Sequence, residues 1–130
     1  MSRRLLAFAL IAVFAVVLVG GCSDSEQESI EYTTKDYCAA YNAEDWEVCL
    51  GHLDDTNNAG ASVIQSALEE SRAATGKVTV DSVENITIND LSATADVTLT
   101  WDAHNETQGW TFVKKDGHWK ISYPSGQLTV

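Results

Sequence analysis

The amino-acid sequence predicts an α+β domain in which three N-terminal helices pack on a curved, four-stranded antiparallel sheet. Two observations lead to this prediction. Apolar residues recur at helical spacing between residues 34 and 74, whereas from Lys77 onward they alternate with polar residues, as in strands with one buried face. Asp116-Gly117 lies between two alternating segments and is typical of a tight hairpin turn. The chain has 130 residues, enough for one such domain with a single core.

The first 21 residues differ in composition from the rest of the chain. Arg3 and Arg4 precede a run of fifteen apolar residues, 5–19, and two glycines follow, which is the layout of a secretory signal peptide. The run is shorter than the roughly 20 apolar residues that a membrane-spanning helix needs. We therefore expect residues 1–21 to be a signal peptide, residues 22–31 to be an acidic flexible tether and residues 32–130 to form the domain.

The segment Leu18-Val19-Gly20-Gly21-Cys22 resembles the lipobox of bacterial lipoproteins. This resemblance implies cleavage before Cys22, diacylglyceryl transfer to the Cys22 thiol, and anchoring on the extracytoplasmic face of the cell membrane. Two acyl chains anchor a protein stably, since each buried methylene contributes about 0.8 kcal/mol. The alternative is an uncleaved signal anchor in which Cys22 has no role.

The net charge excludes one class of partner. The chain carries a net charge of −11, and residues 22–130 alone carry −13, because both arginines of the signal segment lie outside them. Nucleic-acid binding depends on Lys and Arg that neutralise phosphates, so we expect no nucleic-acid partner. Acidity fits an exported domain that stands off an anionic membrane surface.

The three predicted helices are separated by short breaks. The first covers residues 34–43, the second residues 45–53 and the third residues 61–74, which Gly76 follows. The apolar positions of the three helices are, in order, Tyr37, Cys38 and Tyr41; Trp46, Cys49, Leu50 and Leu53; and Val63, Ile64, Ala67 and Leu68.

Cys38 and Cys49 lie at nearly equal distances on either side of the first break. If the two helices fold back on each other the sulfurs meet, so we predict a disulfide, which would stabilise the fold by about 3 kcal/mol. The alternatives are a reactive thiol or a metal pair, and a metal would need more soft ligands than nearby His52. We expect no metal and no cofactor.

The strands are predicted from alternation and turns. The first, residues 78–88, has a bulge between Asp81 and Asn85, and a turn at Asn89-Asp90 leads into a strictly alternating strand, residues 91–101. A loop at residues 102–106 precedes the final hairpin, residues 108–123. Its turn predicts the pairs Lys115 with His118, Lys114 with Trp119, Phe112 with Ile121 and Trp110 with Tyr123.

Two segments together resemble nuclear transport factor 2-like domains. Residues 37–46, a helix, an acidic turn and a second helix, resemble the opening of these domains, and residues 109–122 resemble their final hairpin. With the lipobox, the chain is similar to small actinobacterial lipoproteins of that superfamily, including a group related to a mycobacterial low-molecular-weight secreted antigen. The resemblance spans residues 32–123 and implies a cone-shaped sheet with a pocket between its concave face and the helices. The superfamily holds isomerases, dehydratases and cyclases beside non-catalytic binding domains, so the fold does not assign an activity.

The candidate site residues fall into two sets. His52 with Asp55, and His104 with Asp102, are candidate acid–base pairs, and their alternative is a polar loop position. The candidates for the walls of an apolar ligand pocket, or else for a filled core, are Tyr37, Tyr41, Trp46, Ala95, Trp101, Trp110 and Phe112.

The function that we expect is binding rather than catalysis. The chain would be a membrane-anchored, non-enzymatic domain that binds an apolar small molecule or an envelope protein. One alternative is an isomerase or dehydratase that uses a His–Asp pair in the cone. A further alternative is a homodimer formed through the exposed sheet face.

Overall fold

Three helices and one five-stranded sheet form residues 25–124, the residues that this computed structural model describes. The predicted signal peptide, Cys22 and the last six residues of the chain lie outside this range. The elements in chain order are α1 (25–42), α2 (Trp46–Gly51), β1 (Leu53–Asp55), α3 (Ala61–Thr75), β2 (Thr79–Asn89), β3 (Ser92–Trp101), β4 (His104–Lys115) and β5 (His118–Tyr123). None of the described helices has the length and apolar character needed to cross a membrane.

Helix α1 includes residues that we predicted as flexible tether. Residues 25–31 are helical, and Ile30 is fully buried among the core side chains. Ile30 lies seven positions before Tyr37, hence two helical turns away on the same stripe, and it extends the buried face of the helix. Glu26, one turn before Ile30, also forms an ion pair with Lys114 at 2.8 Å. The domain therefore begins closer to Cys22 than the acidic composition indicated.

The second predicted helix ends early, and a strand that we did not predict follows it. Helix α2 stops at Gly51, and β1 pairs in parallel with β5, with Leu53 opposite Ile121. The predicted four-stranded antiparallel sheet is therefore a five-stranded mixed sheet in the order β1-β5-β4-β3-β2. Three residues are too few for a periodic pattern, which is why β1 left no signal in the sequence.

Helix α3 matches its prediction closely, and the segment that follows it is hydrogen-bonded to the end of α1. It is followed by Gly76 at φ 74°, and Ile64 and Leu68 face the core, although Val63 is 58% exposed. The Asn42 side chain donates to the carbonyl of Val78 at 2.7 Å and accepts from its N–H at 2.8 Å. Asn42 thereby fixes the end of α1 against the start of the sheet.

The predicted hairpin register is confirmed for three pairs, in which Lys115, Lys114 and Phe112 lie opposite His118, Trp119 and Ile121. Trp110, Phe112, Trp119 and Ile121 are all buried on one face. A dipeptide turn in which both residues have positive φ, 52° at Asp116 and 79° at Gly117, sets this register.

The bulge in β2 is also confirmed, with register shifts between Val80 and Ser82 and between Glu84 and Thr87. Two details of the sheet differ from the prediction. The turn between β2 and β3 lies at residues 90–91, so that Leu91 is 59% exposed, and β4 already begins at His104. Asp90, Asp102 and Ala103 adopt positive φ in these turns.

The predicted Cys38–Cys49 disulfide is not present in the structure. Both thiols are free and buried, and the Cys49 Sγ lies 3.8 Å from the carbonyl oxygen of Tyr37. Burial, and to a lesser degree the neighbouring Cys49, raises the pKa of Cys38 to about 12. Burial, followed by the Asp45 and Asp36 carboxylates, raises the pKa of Cys49 to about 12. Both side chains thus act as small, protonated core residues.

Candidate functional site

Most of the aromatic residues proposed as pocket walls are packed together in the core. Tyr37, Tyr41, Trp110 and Phe112 are fully buried, and Ala95 is buried beside them. The Tyr37 and Trp110 rings meet edge to face with centroids 6.0 Å apart, and Tyr41 contacts Trp46 in the same way at 6.1 Å. These side chains fill the space between the helices and the sheet.

Two buried tyrosines differ in how their hydroxyls are satisfied. The Tyr41 hydroxyl lies 3.0 Å from Ser71 Oγ and 3.1 Å from Thr75 Oγ1. The Tyr37 hydroxyl is buried without a hydrogen-bond partner among the described residues. Burial, followed by the nearby Cys49 and Cys38, raises the pKa of Tyr37 well above its ordinary value. The core therefore holds Tyr37 as a neutral phenol.

A groove with a volume of about 550 Å³ lies outside this core. We call it the α1–β5 groove, because one face of α1 and the beginning of β5 form its sides and the end of α2 closes it. The α1 residues recur at helical spacing and so project from one face. Its lining residues are Ser25, Glu28, Ser29, Tyr32, Thr33, Gly51, His52, Gly117, His118, Trp119 and Lys120.

The sides of the groove are held together by two hydrogen bonds between lining residues. Thr33 Oγ1 donates to the carbonyl of Trp119 at 3.4 Å, which joins α1 to β5. Lys120 Nζ donates to the carbonyl of Gly51 at 2.6 Å, which joins β5 to the end of α2. Tyr32, by contrast, is 65% exposed and presents its ring at the groove. The groove thus combines fixed walls with an accessible aromatic ring.

His52 is a groove residue, and its partner is not the one predicted. Its Nε2 lies 2.6 Å from Oδ2 of Asp36 on α1. Asp55, the predicted partner, instead accepts hydrogen bonds from the backbone N–H groups of Ala59 and Gly60, both at 2.8 Å. Asp55 therefore orders the loop before α3, and the His–Asp pair is His52–Asp36. Sequence spacing offered no signal for this pair, because a break between two helices separates its members.

The other predicted pair, His104 and Asp102, lies in a separate recess of about 250 Å³. Ala74, Thr75 and Trp101 complete its lining. The His104 ring is tilted by 48° against Trp101 with centroids 4.6 Å apart, and Trp101 is a partly buried residue that both lines this recess and packs against the core. No ion pair joins His104 to Asp102 within residues 25–124.

The described part of the chain contains no candidate metal-binding site. Residues 25–124 contain no group of three or more His, Cys, Asp or Glu side chains placed to hold a metal ion. His52 and the two buried cysteines do not gather into a ligand set. The polar chemistry at the groove is that of two imidazoles, one ammonium, one carboxylate and several hydroxyls.

The arrangement of helices on a curved sheet is the nuclear transport factor 2-like fold, as comparison with solved structures shows. An NTF2-like protein from Campylobacter jejuni described as a transpeptidase matches with a TM-score of 0.53 and 19% identity, over 71% of this chain and 95% of that one. A variant of Rv3472, a protein of unknown function from Mycobacterium tuberculosis, matches with a TM-score of 0.59 and 16% identity, over 76% of this chain and 69% of that one. A de novo designed protein with a curved β-sheet matches with a TM-score of 0.51 and 13% identity, over 71% of this chain and 92% of that one.

The family of the chain is shown by a match of its sequence to a family model. Residues 50–126 match the family described as low molecular weight antigen MTB12, C-terminal domain, and the chain belongs to this family. The match confirms the resemblance to the mycobacterial antigen group. No curated protein sequence matches the chain significantly.

Proposed function

We propose that the chain is an exported, lipid-anchored domain that binds a small ligand in the α1–β5 groove without transforming it. The observation that supports this proposal most directly is the contrast between the filled core and the open groove. Tyr37, Tyr41, Trp110 and Phe112 occupy the interior, whereas the groove offers about 550 Å³. Cavities that hold small molecules are commonly about 300–1,000 Å³.

The anchoring part of the proposal rests on the lipobox-like segment that ends at Cys22. Its test is the mass of the N-terminal fragment of protein extracted from membranes. We expect cleavage before Cys22 and a diacylglyceryl group on this residue, and we expect Cys22→Ala to abolish the diacylglyceryl group. An unmodified Cys22 in a membrane-bound chain would contradict the anchor.

The binding part can be tested by filling the groove. Ser29 lies on the groove side of α1, and Ser66 lies exposed on α3, so the pair offers matched helical serines. We expect native mass spectrometry of the full chain, extracted from its membrane, to show a bound small molecule that Ser29→Trp abolishes and Ser66→Trp retains. Ligand retained equally by both variants would place binding elsewhere.

A second candidate function is general acid–base catalysis, and the His52–Asp36 pair favours it. A carboxylate 2.6 Å from one ring nitrogen fixes the orientation of the imidazole, as catalytic bases require. The discriminating measurement is proton exchange at the α-carbon of acetone in D₂O. Exchange accelerated by the full chain and lost in His52→Gln would support an enzyme, and exchange at the buffer rate would support binding alone.

A further inference from the structure

We propose that the α1–β5 groove binds the anionic headgroup of a membrane phospholipid, with Lys120 and His118 contacting its phosphate. The proposal deepens the proposed function and rests on it, since it names the ligand of the same groove. Three independent observations support it: the state of the lysines in the β4–β5 hairpin, the character of the other groove side chains, and the distance from Cys22.

The first observation is the distribution of positive charge. Residues 25–124 hold six Lys or Arg side chains, and three of them, Lys114, Lys115 and Lys120, lie in the β4–β5 hairpin. The ammonium of Lys114 is paired with Glu26 at 2.8 Å, and that of Lys115 with Asp54 at 2.6 Å. These two charges are therefore already compensated by carboxylates.

Lys120 differs from its two neighbours. Its Nζ contacts only the neutral carbonyl of Gly51 at 2.6 Å, and no carboxylate of the described residues lies within 4.0 Å of it. A lysine ammonium has three donors, so two remain for a ligand. In a strongly acidic domain, Lys120 is thus a positive charge that an anion at the groove can pair with.

The second observation is the character of the remaining lining. The exposed His118 side chain lies two positions before Lys120, on the same face of β5, and both residues line the groove. Tyr32, which is 65% exposed, supplies an amphipathic aromatic ring of the kind that proteins place at membrane–water interfaces. Glu28 is the one acidic side chain of the lining, and it is exposed. The His52 ring, also in the lining, is held by the Asp36 carboxylate.

The third observation is the length of chain between the proposed anchor and the groove. Ser25 lines the groove and lies three positions after Cys22, which corresponds to at most about 10 Å of extended chain. With Cys22 in the membrane, the groove would lie within reach of the lipid headgroups. The volume of about 550 Å³ suits a headgroup with its glycerol better than a folded protein segment.

The test uses the full chain in a detergent with an uncharged headgroup and reads the three histidine side chains by NMR. His52 and His118 line the groove, whereas His104 lies in the other recess and serves as an internal control. The probe is dihexanoyl phosphatidylglycerol, with dihexanoyl phosphatidylcholine and inorganic phosphate as comparisons. We expect the phosphatidylglycerol to shift the His118 signal saturably and to leave the His104 signal unchanged.

The matched variants are Lys120→Gln, Lys120→Arg and Lys77→Gln, the last at an exposed lysine before β2. Loss of a charge-assisted contact should raise the dissociation constant about tenfold in Lys120→Gln. Lys120→Arg should keep most of the affinity, and Lys77→Gln should keep all of it. Because Arg retains the charge, this variant separates loss of binding from loss of the fold.

Several results would overturn the proposal. These are an unmoved His118 signal, equal affinity for phosphatidylcholine, or equal weakening by Lys120→Gln and Lys77→Gln. Equal affinity for inorganic phosphate would assign the groove to free phosphate instead of a lipid. The mass of the Cys22 fragment reports separately on the anchor. An acylated chain that does not bind phosphatidylglycerol would contradict only the proposed headgroup binding. A chain that binds phosphatidylglycerol but is not acylated would contradict only the proposed anchor.

Discussion

The Nε2 atom of His52 lies 2.6 Å from Oδ2 of Asp36, so that a side chain at the end of α2 is fixed to the middle of α1. Ile121 donates its backbone N–H to the His52 carbonyl at 2.8 Å, and this residue is therefore also tied to β5. His52 thus connects the three elements that surround the α1–β5 groove.

This connection predicts a stability effect. Asp36→Asn weakens a partly exposed, charge-assisted hydrogen bond, and we expect the free energy of unfolding to fall by about 0.5–1.5 kcal/mol. Asp90→Asn, at an exposed turn, is the control and should change it little. Urea unfolding of Asp36→Asn, His52→Gln and the double variant checks the coupling: strictly additive effects would show that the two side chains do not interact.

The two buried tyrosines predict opposite results for the same substitution. Tyr41→Phe removes hydroxyl contacts to Ser71 and Thr75, which should cost about 1–2 kcal/mol. Tyr37→Phe removes a buried hydroxyl without a partner in the described part of the chain, so stability should be unchanged or rise by up to about 1 kcal/mol. Thermal unfolding of both variants makes the comparison. A loss in Tyr37→Phe as large as that in Tyr41→Phe would indicate a partner such as a buried water.

The hairpin turn predicts a difference between two glycines. A Cβ added at either Gly117 or Gly51 meets no atom within 4 Å, but only Gly117 has positive φ, at 79°. Gly117→Ala should therefore destabilise the fold by about 1 kcal/mol, because an L-residue is strained in this conformation. Gly51→Ala, at the end of α2, should be neutral or stabilise it by up to about 1 kcal/mol. Urea unfolding measures the stability of both variants. Equal changes in the two would contradict the requirement for positive φ at Gly117.

The free thiols predict slow alkylation of the folded protein. With the pKa of Cys38 and Cys49 at about 12, only about one thiol in ten thousand is ionised at pH 8. Iodoacetamide should leave both unmodified in the native chain and label both in denaturant without added reductant. Failure to label the denatured chain until it is reduced would show that a disulfide forms after all.

The same raised pKa values give a pH dependence with a definite sign. The folded state holds its thiol protons more tightly than the unfolded state, whose thiols titrate near about 8.5. The stability contributed by protonated Cys38 and Cys49 is thus complete below that value and is lost as the pH rises towards about 12. Denaturant midpoints measured from pH 8 to 11 should fall, and they should fall less in Cys38→Ala. If the midpoints of Cys38→Ala fell with pH as steeply as those of the unsubstituted chain, the Cys38 thiol would not be a source of this pH dependence.

Sequence patterns predicted those parts of the fold that local chemistry determines. The Asp116-Gly117 dipeptide predicted three pairs of the hairpin register, and apolar spacing predicted α3 and the stripe of Tyr37, Cys38 and Tyr41. These features depend on neighbouring residues alone, so a single sequence contains the information.

The features that were missed depend on tertiary contacts. Strand β1 is stabilised by parallel pairing with β5. The helical conformation of residues 25–31 is stabilised because Ile30 packs in the core. The groove draws its lining from separate segments of the chain, and the His52–Asp36 pair bridges two of them. No spacing rule connects such residues before the fold is known.

The register shifts in β2 have a consequence for the proposed membrane anchoring. β2 is a terminal strand in the order of the described sheet, and a regular terminal strand is a template for pairing with a second chain. Its two irregularities, between Val80 and Ser82 and between Glu84 and Thr87, break the even row of backbone donors and acceptors that such pairing needs. If the chain is anchored as proposed, copies crowded side by side on a membrane would meet edge to edge far more often than in dilute solution. The bulges would then protect the anchored copies against aggregation.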